Sequence, residues 1–212
     1  KPDFFIPLLE ENGLIRQLDR YVWREAAAQV RKWKKEFGLT IPVSVNVSRI
    51  DIFDPDIIDF LQKTVEENEI EPSDIHLEIT ETAYTDNVDH IVSVVKKLQK
   101  AGFMVEMDDF GKGYSSLSYL QVLPITLLKL DRSFITDIEH DNIAYEIVSA
   151  VIRIAKSKKI ETIAEGIENN VQESILRMAG CDYGQGYLYG QPMPPEKILE
   201  FFEQNEKRDI KQ

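Results

Sequence analysis

Apolar residues recur along this chain with two spacings that take turns. From Ile15 through Leu18, Val22, Ala26, Val30, Trp33 and Phe37 they fall three or four apart, the spacing of one helical face, and Gly38 follows as a stop. A β-prone run, Ile41 to Val47, comes next. Helical spacing then predicts helices at Pro55 to Glu67, Asn87 to Ala101, Ser115 to Gln121, Asn142 to Ser157, Val171 to Ala179 and Pro195 to Gln204. Between them lie β-prone runs at Ile75 to Thr80, Phe103 to Met107, Thr126 to Leu130, Ile160 to Ala164 and Tyr183 to Tyr189. The segment from Lys1 to Gly13 carries an apolar run, Phe4 to Leu9, and is assigned no element. Strands alternating with helices predict a parallel sheet covered by helices, and no Pro-, Gly- or Ser-rich linker divides the chain. The expected class is therefore α/β. The about six βα units fall short of the eight that close a (βα)8 barrel.

Each β-prone run also carries a polar residue that packing alone would not select. Asn46, Glu78, Asp108, Lys129, Glu165 and Gln185 stand in or just after successive runs. Charged groups are almost never fully buried unless paired or metal-bound, and (βα) barrels place their chemistry at the carboxyl ends of several strands. One buried ion pair would explain two of these residues but not the series. Glu78, Asp108, Glu165 and the Asn46 carboxamide make an oxygen-rich set that suits a hard divalent cation such as Mg²⁺ or Mn²⁺, with Lys129 as the fixed cation among the acids. Asp109 adjoins Asp108, and neighbouring strand side chains point to opposite faces. If both serve one site, Asp109 must lie where the chain leaves the strand, and the pair could bridge or flank a second ion. His76, His90 and His140 lack zinc spacing and are read as incidental.

Composition narrows the partners. A formal charge of −12 argues against a long nucleic acid, whose binders cluster Lys and Arg, but leaves room for a small anionic substrate if metals supply positive charge locally. At 212 residues with 43% hydrophobic residues, the chain can build one domain with a substantial core. It contains no membrane-length apolar run and no signal-peptide pattern at its amino terminus. Cys181 has no partner for an internal disulfide, which favours a reducing, cytoplasmic setting.

Asn46 in Val-Asn-Val-Ser, Glu78 in Leu-Glu-Ile-Thr-Glu, Asp108-Asp109-Phe-Gly-Lys-Gly-Tyr-Ser-Ser-Leu, Leu128-Lys129-Leu-Asp131-Arg-Ser-Phe, Ala164-Glu165-Gly-Ile-Glu168 and Gln185-Gly-Tyr follow one another in order. Together they resemble the EAL domain family, bacterial phosphodiesterases that hydrolyse cyclic di-GMP to linear pGpG. The resemblance runs from Phe5-Ile6-Pro7-Leu8 to Gln191-Pro192-Met193-Pro194. It implies a TIM-like (βα)8 barrel of the EAL type with a two-metal Mg²⁺ or Mn²⁺ site. Asn46, Glu78 and Asp108 would ligate one ion, and Asp108 with Asp109 would hold the second. Lys129 and Glu165 would orient and deprotonate the attacking water, and Gln185 would support that water or the scissile phosphate. Asp131 and Glu168 would line the substrate mouth. Glu81 would brace the loop from Phe110 to Ser116, which in the family couples metal binding to dimerisation. Implied partners are cyclic di-GMP, a second copy or other self-association, and a sensory or GGDEF domain upstream in a parent protein that could be membrane-attached.

The chain also departs from the family. The Glu-Ala-Leu signature is absent, so residues 1–212 are expected to be an EAL-type domain lacking its first two strands and one metal-ligand glutamate. Weak or absent hydrolysis is expected, with open sheet edges at Val43 and Tyr183 that favour association. Lys112 stands where the family usually has Thr, and can either compete for the Asp109 carboxylate or face solvent. The alternative is a catalytically inactive module that binds cyclic di-GMP or a protein partner. A barrel acting on another phosphate ester comes third.

Overall fold

A computed structural model describes residues 2–85, 87–112, 117–198 and 200–201. Six strands, β1 Val43–Asn46, β2 Ile75–Thr80, β3 Met104–Phe110, β4 Leu127–Leu130, β5 Glu161–Ala164 and β6 Tyr183–Gly184, pair in chain order, every neighbour parallel. The result is a half-barrel sheet of α/β type. Parallel neighbours need long crossovers, which the helices supply. Helices α1 Pro2–Glu11 and α2 Ile15–Phe37 precede β1, and the crossovers carry α3 Arg49–Ile52, α4 Ile57–Glu67, α5 Val88–Lys100, α6 Leu117–Val122, α7 Arg132–Ile135, α8 Asn142–Ser157 and α9 Asn170–Ala179.

Helix α2 ends where the pattern predicts, with Gly38 at φ 68° and its N–H bonded to the Trp33 carbonyl. Helix α1 forms over a segment whose apolar run predicts no element, and it carries Pro7 within its length. The short α3 and α7 were also not foreseen, because four residues are too few to show a period. Each starts at a side-chain cap, Ser48 for α3 and Asp131 for α7. Of the predicted helix Ser115 to Gln121, the first two residues lie outside the described ones. The last predicted helix appears at 195–198 and 200–201, and 202–204 lie outside them.

Strands covered on both faces read as continuous apolar runs. Here they alternate, and the sheet has one covered face and one polar face. Val45, Ile75, Leu77, Ile79, Val105, Met107, Leu128, Leu130 and Ala164 are buried in one core with Trp23, Leu61, Ile91, Leu98 and Val151 of the helices. The alternate positions, Ser44, Asn46, His76, Glu78, Thr80, Glu106 and Asp108, share the opposite face, with Asn46 in register with Glu78, Glu78 with Glu106, and Thr80 with Asp108.

Two strand ends differ from expectation. β3 runs on through Phe110, because Met107 pairs with Leu128 and Phe110 with Leu130, leaving Asp108 and Asp109 together opposite Lys129. This β-bulge puts Asp109 at φ 58°, a left-handed conformation that Asp tolerates better than most residues. Asp109 therefore lies inside the strand, not beyond it. β6 stops at Gly184, because the following chain wraps Ile167, whose N–H bonds to the Gln185 carbonyl and whose carbonyl accepts from Leu188. Gly186 permits that approach, since a Cβ there would sit 2.1 Å from the Ile167 oxygen. Among the described residues, no helix is long and apolar enough to cross a membrane.

The two faces should respond differently to truncation. Ile79→Ala, on the covered face, is expected to cost about 2–5 kcal/mol. Asn46→Ala, on the polar face, should stay within about 0.5 kcal/mol. Urea unfolding midpoints of the two variants measure the difference.

Candidate active site

Lys129 is the centre of the polar face. Its Nζ lies 2.6 Å from Glu78 Oε1, 2.8 Å from Glu165 Oε1 and 3.1 Å from Asp108 Oδ1, and only 7% of its side chain is exposed. These acids come from β2, from the residue after β5, and from the bulge of β3. Burial works against the Lys129 ammonium, but the charges and hydrogen bonds of Glu78 and Glu165 outweigh it and hold its pKa well above the usual lysine value. Burial raises Glu78 and Glu165 above the ordinary carboxylate range, with Lys129 pulling both back. Asp108 and Asp109 add to the rise of Glu165, which places both aspartates in its electrostatic surroundings. Lys129 faces Asp108 as an ion pair without hydrogen-bond alignment, so the buried Asp108 Oδ1 has no hydrogen-bond partner among the described residues.

Around this centre lie two cavities. One of about 620 Å³ is lined by Asn46, Ser48, Thr80, Asp109 and Asp19. Trp23 Nε1 donates to the Asn46 carbonyl at 2.9 Å, so α2 fixes the end of β1 from behind. The other, about 590 Å³, is lined by Glu165, Gln185, Asp131, Glu168 and Lys112. Asp131 caps α7 through Oδ1, which accepts from the Ser133 N–H at 2.9 Å, while Glu168 pairs with Arg132 at 2.6 Å. Burial would raise Asp131, but the Ser133 hydrogen bond and the Lys112 charge leave its pKa below the ordinary range. Lys112 Nζ lies 2.5 Å from Asp109 Oδ1 and 3.3 Å from Asp131 Oδ2, and the bond to Asp109 foremost holds its pKa above the usual lysine value. Buried Glu81 accepts the Gly111 N–H at 3.0 Å, at the start of the Phe110 to Ser116 loop; residues 113–116 of that loop lie outside the described ones.

Two groups escaped the sequence. Glu106 is buried on the polar face, where its carboxylate lies 2.6 Å from His76 Nδ1 and 3.3 Å from Ser44 Oγ. His76 is thus a partner of a buried acid and not incidental, and period-two spacing from Asp108 back to Glu106 was the available signal. Asp19 of α2 and Asp51 of α3 form the second group, both buried, with Asp19 Oδ2 and Asp51 Oδ1 lacking a hydrogen-bond partner among the described residues. Ser48 donates its N–H to Asp51 at 3.1 Å. Burial first, then the neighbouring Asp51 carboxylate, pushes Asp19 from 3.8 up to about 8. No periodicity announces a contact between residues so far apart in the chain.

The profile of the EAL domain matches residues 1–192. The chain belongs to the EAL domain family. It is 36% identical over 200 residues to the signaling protein YkoW of Bacillus subtilis, covering 94% of this chain and 25% of YkoW. It is also 36% identical over 198 residues to MucR of Pseudomonas aeruginosa, named a bifunctional diguanylate cyclase/cyclic di-GMP phosphodiesterase, covering 93% of this chain and 29% of MucR. Among solved structures, the c-di-GMP complex of the PaMucR phosphodiesterase matches with a TM-score of 0.87 at 35% identity, covering 93% of this chain and 80% of that one. The chain thus spans between 25% and 29% of the length of these two curated relatives.

The donor chemistry of this EAL domain fits a hard cation at one place. Asn46 and Glu78 are register neighbours, Asp108 stands on the next strand, and the buried Asp108 Oδ1 lacks a hydrogen bond. Among the described residues, no three acids, histidines or cysteines are gathered into a ready-made cage. Lysine ammonium groups stand at both acid sites, Lys129 beside Glu78 and Asp108 and Lys112 beside Asp109.

The Asp19 pair predicts a pH dependence of stability. A carboxyl whose pKa is raised by folding stabilises fully below its unfolded value, and that stabilisation is lost as pH rises through the folded one. For Asp19 the window runs from 3.8 to about 8. Asp19→Asn, which stays neutral, is therefore expected to gain stability over the parent as pH rises through this window. Urea midpoints at about pH 5, 7 and 9 measure it, and parallel curves would contradict the assignment.

Proposed function

We propose that this EAL domain, spanning 1–212, hydrolyses cyclic di-GMP to linear pGpG. The observation that carries the proposal is the Lys129 ammonium held by Glu78, Asp108 and Glu165 at the carboxyl ends of the strands, beside a cavity large enough for a nucleotide. The naming of MucR as a phosphodiesterase and the match to a c-di-GMP complex support the choice of substrate.

Within this mechanism Glu165 is the base. Its raised pKa suits it to accept a proton from water, and Lys129, held protonated, cannot take one. Lys129 instead keeps Glu165 oriented and sets positive charge where phosphate charge grows. The Gln185 amide, across the same cavity, positions the water or the scissile phosphate. Asp131 and Glu168 line the mouth, where Ser133 and Arg132 hold them in place. Water oxygen attacks phosphorus in line, the ring phosphodiester bond breaks, and the leaving ribose oxygen takes up a proton. A Mg²⁺ or Mn²⁺ ion held by Asn46, Glu78 and Asp108 would supply Lewis-acid neutralisation of phosphate charge.

A second reading, a cyclic di-GMP-binding module without turnover, is favoured by one observation: Lys129 engages two of the three proposed ion ligands. Self-association belongs to the same proposal, because the outer edges of β1 and β6 have no strand partner among the described residues. So does a cytoplasmic parent protein with a GGDEF or sensory domain, in keeping with the bifunctional name of MucR.

Incubation with cyclic di-GMP and Mn²⁺ should yield pGpG by chromatography; binding without product would favour the module. Glu165→Gln is expected to lower turnover by about 10²–10⁴-fold with cyclic di-GMP affinity little changed. Equal turnover in the variant would remove Glu165 as the base. Sedimentation should show concentration-dependent association, and a monomer at all concentrations would contradict it.

A further inference from the structure

The turn that carries Lys112 is fixed from three sides. Its N–H bonds to the Asp109 carbonyl at 3.1 Å, and the preceding Gly111 N–H is held by Glu81 at 3.0 Å. Gly111 has φ 109°, and a Cβ there would lie 1.8 Å from the Phe134 ring, so the chain passes too close for any side chain. Asp131 is equally constrained: its N–H bonds to the Phe110 carbonyl at 3.2 Å and its Oδ1 caps α7, leaving Oδ2 to face Lys112. The backbone is thus fixed beside both carboxylates, and the Lys112 side chain reaches between them.

We propose that Lys112 is a resident cation: its ammonium takes the place a second divalent ion would need at Asp109, so such an ion binds there only by displacing the lysine. This rests on the proposed ion site at Asn46, Glu78 and Asp108. One positive charge near Asp109 and Asp131 neutralises part of the charge that would attract a dication and also occupies a ligand oxygen directly. The side chain is 56% exposed and reaches the pair from solvent, so a dication can push it aside and substitution does not disturb the core. Turnover would then depend on metal concentration in two stages, the second set by Lys112.

Mn²⁺ binding to the full chain without nucleotide, measured by electron paramagnetic resonance or calorimetry, tests the proposal. In the parent chain any second Mn²⁺ should bind more weakly than the first. Lys112→Met should add a second binding event at least about tenfold tighter than any second event in the parent, and Lys112→Arg, which keeps the charge, should behave as the parent. If parent and Lys112→Met both bind a single ion with equal affinity, or both bind two alike, Lys112 has no such role and the catalytic reading stands. If neither binds Mn²⁺, the ion site itself fails and this proposal fails with it.

Discussion

Lys129 can remain charged inside the sheet only because Glu78 of β2, Asp108 of β3 and Glu165 just after β5 reach its ammonium. An unpaired buried charge costs several kcal/mol, and no single carboxylate would neutralise this one while leaving itself free for chemistry. The meeting requires β2, β3, β4 and β5 to be adjacent, parallel and in one register. A slip by one residue would send each of these side chains to the helix-covered face. Sheet order and charge cluster therefore specify each other.

The two-faced sheet makes room for that cluster. Packing with the helices is carried by Val45, Leu77, Ile79, Val105, Met107 and Leu128, so the alternate positions are released from the core and can hold polar groups. Beneath Lys129 the pairing continues with Glu106 and His76, whose hydrogen bond satisfies another buried acid on the same face. The bulge in β3 then does what a regular strand cannot, setting Asp108 and Asp109 together opposite Lys129. One aspartate faces the fixed ammonium of Lys129 and its neighbour faces that of Lys112. The distribution of positive charge, more than the inventory of acids, distinguishes the two halves of this site.

Much of the architecture was legible because it is local. Helix α2 with its Gly38 stop, strand β2 and helix α8 follow from periodicity and capping within a few residues. The polar residues at successive strand ends were legible too, since a charge in an apolar run violates the packing rule that governs its neighbours. The short helices α3 and α7, the brevity of β6 and the pairing of His76 with Glu106 were not, because each is decided by a group remote in the chain or by a cap too small to leave a period.

The sequence by itself determined the alternation of strands and helices, the apolar stripe on each, and the set of acids, amides and lysines available at the strand tips, because these depend on residue type and near-neighbour spacing. Only the tertiary structure decided that Asp109 turns inside a bulge, that Lys129 is shared by three acids, that Asp19 and Asp51 share a buried site, and that Lys112 bridges Asp109 to Asp131. Those outcomes depend on register and on distances between segments far apart in the chain, and electrostatic energy varies steeply with such distances.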